Sequence, residues 1–426
     1  MTVITETITE MKGYNLHIVK TEKYKTNTFI WKMKAPINKD EVTLRALLPY
    51  VLQSNSKKFP STTALRSYLD DLYGASLYVD LSKKGEYHII SFSLEVANEK
   101  FLSDPTPLLR KAIEFFAEIL TNPNVSSSGF DSTTIDAEKR TLKQRIQSIY
   151  DDKMRYSNFR LVEEMCKDEP YALHVHGQME QVDEITSASL YSYFQRAFCE
   201  DEMDFYVIGD VEEREVQAVS DELLHFQART PKRLSEAHTK KTIEAKEVKE
   251  VQDVKQGKLN IGYRTNIIYG DADYFALQVF NGIYGGFSHS KLFINVREKA
   301  SLAYYCASRL ESHKGLMMVM SGIDNKNFDQ AITIIKEQMQ AMKNGDFSDA
   351  ELEQTKAVIK NQLLETIDTA RGMVEILYHN VVASTKISLD DWLEKMDQTT
   401  TEEIVNVANK IDLDTIYFLT GTEAGE

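Results

Sequence analysis

The feature that most constrains this chain is that it repeats itself. Residues 75–96, "ASLYVDLSKKGEYHIISFSLEV", and residues 301–323, "SLAYYCASRLESHKGLMMVMSGI", share one grammar: an extended run, a Lys-Gly pair, and a second extended run. Each reads as a β-hairpin, because β-branched and aromatic residues alternate around a glycine turn. The agreement continues downstream. An amphipathic helix follows each hairpin, "PLLRKAIEFFAEILTNP" in one case and "NFDQAITIIKEQMQAMKNG" in the other. Then "FDSTTIDAEKRTLKQRI" from Phe130 answers "FSDAELEQTKAVIKNQL" from Phe347, each a phenylalanine, a capping cluster and a long charged helix. A Thr-capped helix and a strand close each half: "TSASLYSYFQRAF" with "DFYVIGD", and "TTEEIVNVANKI" with "TIYFLTG". Such a chain folds as two copies of one unit.

Hairpins mixed with helices imply an α+β fold, each copy a largely antiparallel sheet with helices packed on one face. The halves are expected at 1–228 and 258–426. Between them, residues 229–257 read as a solvated linker, because the basic residues from Lys232 to Lys258 are interleaved with Glu and Asp. At 426 residues the chain is long enough for a core in each half.

The formal charge of -15 argues against a nucleic-acid surface, which needs a basic patch. No run approaches the length of a membrane span, and the first residues carry neither a basic region nor an apolar core of a signal peptide. Cys166, Cys199 and Cys306 are odd in number and far apart, the pattern of reduced thiols in a cytoplasmic protein.

One stretch carries more specific information. Residues 282–312, "GIYGGFSHSKLFINVREKASLAYYCASRLES", combine a Gly-Gly turn (Gly285, Gly286), Ser290 with Leu292 and Phe293, and then Arg297, Glu298, Lys299, Leu302, Ala303 and Tyr304. With the duplication, these resemble the insulinase/pitrilysin clan of metallopeptidases over nearly the whole chain. Ser301 stands where that family has glycine. The resemblance implies the pitrilysin-like fold of two related halves, in a member of the kind encoded in pairs by low-GC Gram-positive bacteria.

Active relatives carry His-x-x-Glu-His on a helix of the first half. Two histidines four residues apart lie on one helical face and converge on one zinc, and the intervening glutamate deprotonates the metal-bound water. Anchored on "KKFPS" (Lys57 to Ser61), that motif falls on Ala46, Leu47, Leu48, Pro49 and Tyr50, none of which replaces it. Pro49 also removes a backbone donor from the helix. None of the nine histidines lies four residues from another, and His174 with His176 reads as a surface or strand pair. Glu138 stands near the position of the family's third ligand, or is simply a helical surface glutamate. No zinc is expected in this chain.

In the family the second half supplies an arginine and a tyrosine seven residues apart, and Arg297 and Tyr304 keep that spacing. The resemblance implies that they hold the substrate peptide and the oxyanion at the scissile carbonyl, a task suited to a guanidinium fork and a phenol. Strand alternation lets only one of Tyr304 and Tyr305 face the cavity. Gly285 and Gly286 form either a sharp bend or a loop that touches substrate. Metal motif absent and Arg/Tyr pair present implies a non-catalytic, substrate-positioning subunit of a heterodimeric zinc peptidase, the zinc lying in an HxxEH-bearing partner. The alternative is a peptide-binding or scaffolding pseudoenzyme, self-associating as a homodimer. Nothing supports an autonomous hydrolase, since no GxSxG occurs.

Overall fold

In a computed structural model, residues 4–104, 106–227, 229, 231, 234 and 244–421 are described. The chain divides into two compact units, Met1–Ser148 with Leu173–Ser235, and Ile149–Ala172 with Glu236–Glu426.

The first unit opens with β1 (Glu6–Met11), β2 (Tyr14–Lys20) and β3 (Thr26–Pro36), then α1 (Val42–Ser54) and α2 (Thr62–Asp71). The expected hairpin follows as β4 (Ser76–Lys84) and β5 (Tyr87–Ala97), with Gly85 at φ +57° in its turn. After α3 (Leu108–Thr121) come a two-residue hairpin, β6 (Val125–Ser126) with β7 (Gly129–Phe130), and α4 (Ser132–Asp151). The chain then passes into the second unit for α5 (Lys153–Met165). It returns for α6 (Met179–Glu184), α7 (Ser187–Glu200), β8 (Glu202–Gly209) and α8 (Glu213–Leu223). Apart from β6 and β7, the strands form one sheet in the order β1-β2-β8-β3-β5-β4, antiparallel except where β2 meets β8. Alternation sends Leu16, Phe29, Trp31, Ile90, Phe92 and Phe205 to a shared core with Leu47, Ile113 and Phe116 of the helices.

The second unit runs β9 (Lys246–Val251), β10 (Gly257–Arg264), α9 (Tyr274–Asn281), β11 (Ala303–Glu311), β12 (Leu316–Ile323), α10 (Phe328–Lys343), α11 (Asp349–Ile367), α12 (Ala370–Ala383), α13 (Leu389–Gln398), α14 (Thr401–Lys410) and β13 (Asp412–Thr420). Its sheet order is β11-β12-β10-β13-β9, with β13 and β9 parallel. Strand for strand, β9, β13, β10, β12 and β11 repeat β2, β8, β3, β5 and β4. Gly315, at φ +71°, occupies the turn that Gly85 occupies in the first copy. The caps match the sequence too: Thr186 caps α7, Ser348 caps α11 and Thr400 caps α14, each closed as a capping box.

Two features depart from the sequence reading. The expected linker at 229–257 contains β9, so the second sheet begins at Lys246. Its "KEVKEV" alternates half-buried with exposed residues, the charged habit of an edge strand, which in composition alone looks like linker. Most of the remaining linker residues up to 243 lie outside the described residues. The second departure is α5, from the first half of the sequence, which packs on the second unit's sheet. Tyr156, Leu161 and Met165 meet Leu316, Met318, Tyr417 and Leu419, whereas Met317, Val319, Ile416 and Phe418 face the opposite core. The second sheet therefore carries helices on both faces. Arg264 fastens the segment, pairing with Glu169 at 2.9 Å and Asp414 at 2.8 Å.

Candidate functional site

The degenerate metal helix is α1. It runs unbroken through Pro49. Thr43, Ala46, Tyr50 and Ser54, spaced by three and four, share one face. Ala46 is fully buried and Tyr50 nearly so. Helix α4 answers that face. Glu138 accepts a hydrogen bond from Ser54 Oγ at 2.6 Å, and Arg145, seven residues on, lays its guanidinium 3.5 Å from the centroid of the Tyr50 ring. The glutamate near the expected third-ligand position thus does reach the metal helix, but it meets a serine hydroxyl there. A permanent cation stands against the residue that occupies the second histidine's place. Among the described residues no three His, Cys, Asp or Glu gather as metal ligands. Apolar side chains, a proline and a guanidinium do not fit a zinc ion.

His174 and His176 are neither surface nor strand residues, contrary to the sequence reading. They lie half-buried in a loop and turn before α6, with ring centroids 5.1 Å apart. Burial pushes His174 down to about 3 and His176 to about 4, the latter helped by the charge of Arg145. Both are neutral at pH 7, and no third ligand stands with them among the described residues.

In the second unit the motif takes an uncommon backbone. Gly282–Gly286 and Phe293–Lys299 are both wound as π-helix, a form rare in proteins and frequent at functional sites. Gly285 and Gly286 are therefore part of a helical turn, not a loop. A Cβ at Gly285 would stand 2.6 Å from Ser308 Oγ and 2.7 Å from Leu292 Cδ1, so glycine here admits close packing against β11. Ser301, where the resemblance implies glycine, sits at φ +52°, a left-handed conformation that glycine tolerates better.

Arg297 lies in the second π-helical segment, which packs on β11. Its guanidinium stacks 4.5 Å from the Phe293 ring centroid and approaches Glu298 at 3.6 Å, with 43% of the side chain exposed. Tyr304 is 75% exposed. It falls where the register slips: Ala303 pairs with Ile323 and Tyr305 with Gly322, which leaves Tyr304 as the extra residue of a bulge. Bulges re-aim side chains at sheet edges. Tyr305 turns inward, its ring against Gly322, its buried hydroxyl without a partner among the described residues and its phenol pushed up to about 12 by burial. Of the two tyrosines, Tyr304 is the one open to a ligand. No hydrogen bond joins Arg297 to Tyr304 among the described residues.

Arg145 escaped the sequence reading. Its signal was the seven-residue spacing from Glu138, which puts both on one face of α4.

A family model described as "Peptidase M16 inactive domain" matches residues 184–359. The chain is 56% identical over 423 residues to the Bacillus subtilis protein named "Probable inactive metalloprotease YmfF", covering 99% of each. It is 23% identical over 320 residues to a Saccharomyces cerevisiae protein, "Mitochondrial-processing peptidase subunit beta", covering 70% of this chain and 67% of that one. A solved structure of a conserved protein from Enterococcus faecalis superposes with a TM-score of 0.90 at 36% identity, covering 99% of this chain and all of the other. No helix among the described residues is long and apolar enough to cross a membrane. The chain belongs to the peptidase M16 family, and at 46–50 it lacks the HxxEH motif of that family's metallopeptidases.

Proposed function

We propose that this chain is the substrate-positioning subunit of a heterodimeric zinc peptidase of the cytoplasm. A second, HxxEH-bearing chain brings the metal, and Arg297 and Tyr304 complete that chain's site. The observation that carries this reading is the state of Tyr304. A large aromatic 75% exposed on a strand bulge contributes little to packing; its hydroxyl is open to a peptide, as is the exposed part of the Arg297 side chain. The two groups hold the peptide backbone and donate to the oxyanion that forms at the scissile carbonyl. The likeness to a protein named as a processing-peptidase subunit supports the paired arrangement, and the three unbridged cysteines suit a reducing compartment.

The test is peptide cleavage by this protein mixed with the HxxEH homologue from the same genome, against each chain alone, with zinc present. Only the mixture should cleave. Arg297→Ala and Tyr304→Phe should each lower kcat by roughly 100- to 1,000-fold, while both variants melt as the wild type does, since these side chains are exposed. If the mixture cleaves no faster than the homologue alone and the two chains do not co-purify, the reading is wrong. The chain would then be a pseudoenzyme that binds peptide or scaffolds by itself.

A further inference from the structure

The lost metal position leaves an electrostatic imbalance. The loop at 173–178 is held at both ends: Lys83 Nζ donates to Leu173 O at 2.9 Å, and Gln178 N donates to Thr43 Oγ1 at 3.0 Å. Gly177 lies so close to Thr43 that a Cβ there would collide with it. The loop is thus anchored to β4 and to the start of the degenerate helix. His174 Nδ1 accepts the His176 backbone N–H at 3.1 Å, which orients the pair.

Two polar atoms around this loop are buried and have no partner among the described residues, Arg145 Nη1 and His176 Nδ1, although each belongs to a side chain that is only half-buried. A guanidinium never gives up its charge, and a buried N–H without an acceptor is costly. Arg45, on the same unit, shows what satisfaction looks like, with donors to Asp201 at 2.6 Å, Met33 O at 2.8 Å and Tyr193 Oη at 3.1 Å. Glu138, on the same face of α4, is engaged by Ser54 Oγ, and no ion pair joins it to Arg145 among the described residues. Neutral His176 feels the charge of Arg145 and can present Nδ1–H as a second donor.

We infer that the former metal position of the first unit is a carboxylate-binding site. Arg145 supplies the permanent charge and His176 a neutral donor, so the chain has exchanged a cation that binds a peptide carbonyl for one that binds a peptide's acid. The carboxylate comes from a chain terminus or from an Asp or Glu side chain. That the ligand is a peptide rests on the function proposed above; the preference for an anion does not.

The experiment is calorimetric titration of this chain alone, with three probes: N-acetyl-trialanine, its C-terminal amide, and N-acetyl-Ala-Asp-Ala-amide. At least one acid should bind at least tenfold more tightly than the amide, and which acid does so names the source of the carboxylate. Arg145→Gln should erase the difference, with Arg145→Lys restoring part of it. Equal binding of all three, or none, overturns the proposal, and this comparison needs no variant to fold. Because no partner is present, failure of the heterodimer would leave the result untouched. Acid selectivity with no activity in the mixed-chain assay would separate the two ideas.

Discussion

Raising the pH is expected to weaken the first unit through one residue. His17, buried in β2, places Nδ1 2.8 Å from Glu6 Oε1 and Nε2 3.1 Å from Asp204 Oδ1. Its ring stacks on Tyr206 with centroids 4.2 Å apart. Burial pushes its pKa down, but hydrogen bonds and charge from Asp204 and Glu6 outweigh that and raise it to about 9. Asp204 depends on the arrangement, since its Oδ2 is buried without a partner among the described residues. The folded chain therefore holds the proton more tightly than the unfolded chain, whose histidine titrates near 6.5. The stabilisation is fully present below about pH 6.5 and is lost as pH rises through about 9. A gap of about 2.5 pKa units corresponds to about 3 kcal/mol. Urea unfolding from about pH 6 to about pH 9.5, followed by Trp31 fluorescence in a Trp392→Phe background, isolates the first unit. The wild type should lose about 3 kcal/mol more than His17→Gln over that range. Parallel stability curves for the two proteins would refute the reasoning.

Three further outcomes follow from the same kind of accounting. Ser301→Gly should stabilise the second unit by about 0.5–1 kcal/mol, because relief of a left-handed Cβ exceeds the added freedom of the unfolded chain; a lower melting temperature by Trp392 fluorescence would contradict it. Gly285→Ala should cost about 1–3 kcal/mol by overpacking Ser308 and Leu292, read from the same unfolding curve, and an unchanged midpoint would mean the contact yields freely. Ala46→His with Pro49→Glu and Tyr50→His should still bind zinc poorly. Two unit charges about 4 Å apart repel by about 4 kcal/mol at the effective dielectric near a protein surface, and Arg145 stands beside the rebuilt site. Adding Arg145→Leu should tighten zinc at least a hundredfold by competition with a chelating dye, and equal affinity with and without Arg145 would dismiss its charge as the obstacle.

The duplicated fold was legible because its punctuation is local. The Lys-Gly turns and the Thr and Ser caps are decided within a few residues and recur in both copies. The loss of the HxxEH motif was equally legible, since four-residue spacing on one helical face is a matter of counting. The strand β9 was not, because an exposed edge is built from the same charged residues as a linker. Nor was α5, whose apolar face gives no indication of which sheet it covers. At the site, the spacing of Arg297 and Tyr304 was readable, yet the bulge that exposes Tyr304 depends on its pairing with β12. The π-helical turns have no sequence signature of their own. Arg145 shows the limit most plainly: its chemistry arises from contact with Tyr50, ninety-five residues earlier in the chain.

The placement of α5 also has a consequence in time. Its apolar residues leave the ribosome early, but the strand that carries Tyr417 and Leu419 is made about 250 residues later. At roughly 5–20 residues per second, α5 waits roughly ten to fifty seconds for the surface it covers. During that interval Tyr156, Leu161 and Met165 are exposed on a nascent chain whose first sheet can already close. Truncating the chain after its first half would make the wait permanent. The resulting fragment should bind chaperones and aggregate, although every strand of its own sheet is present.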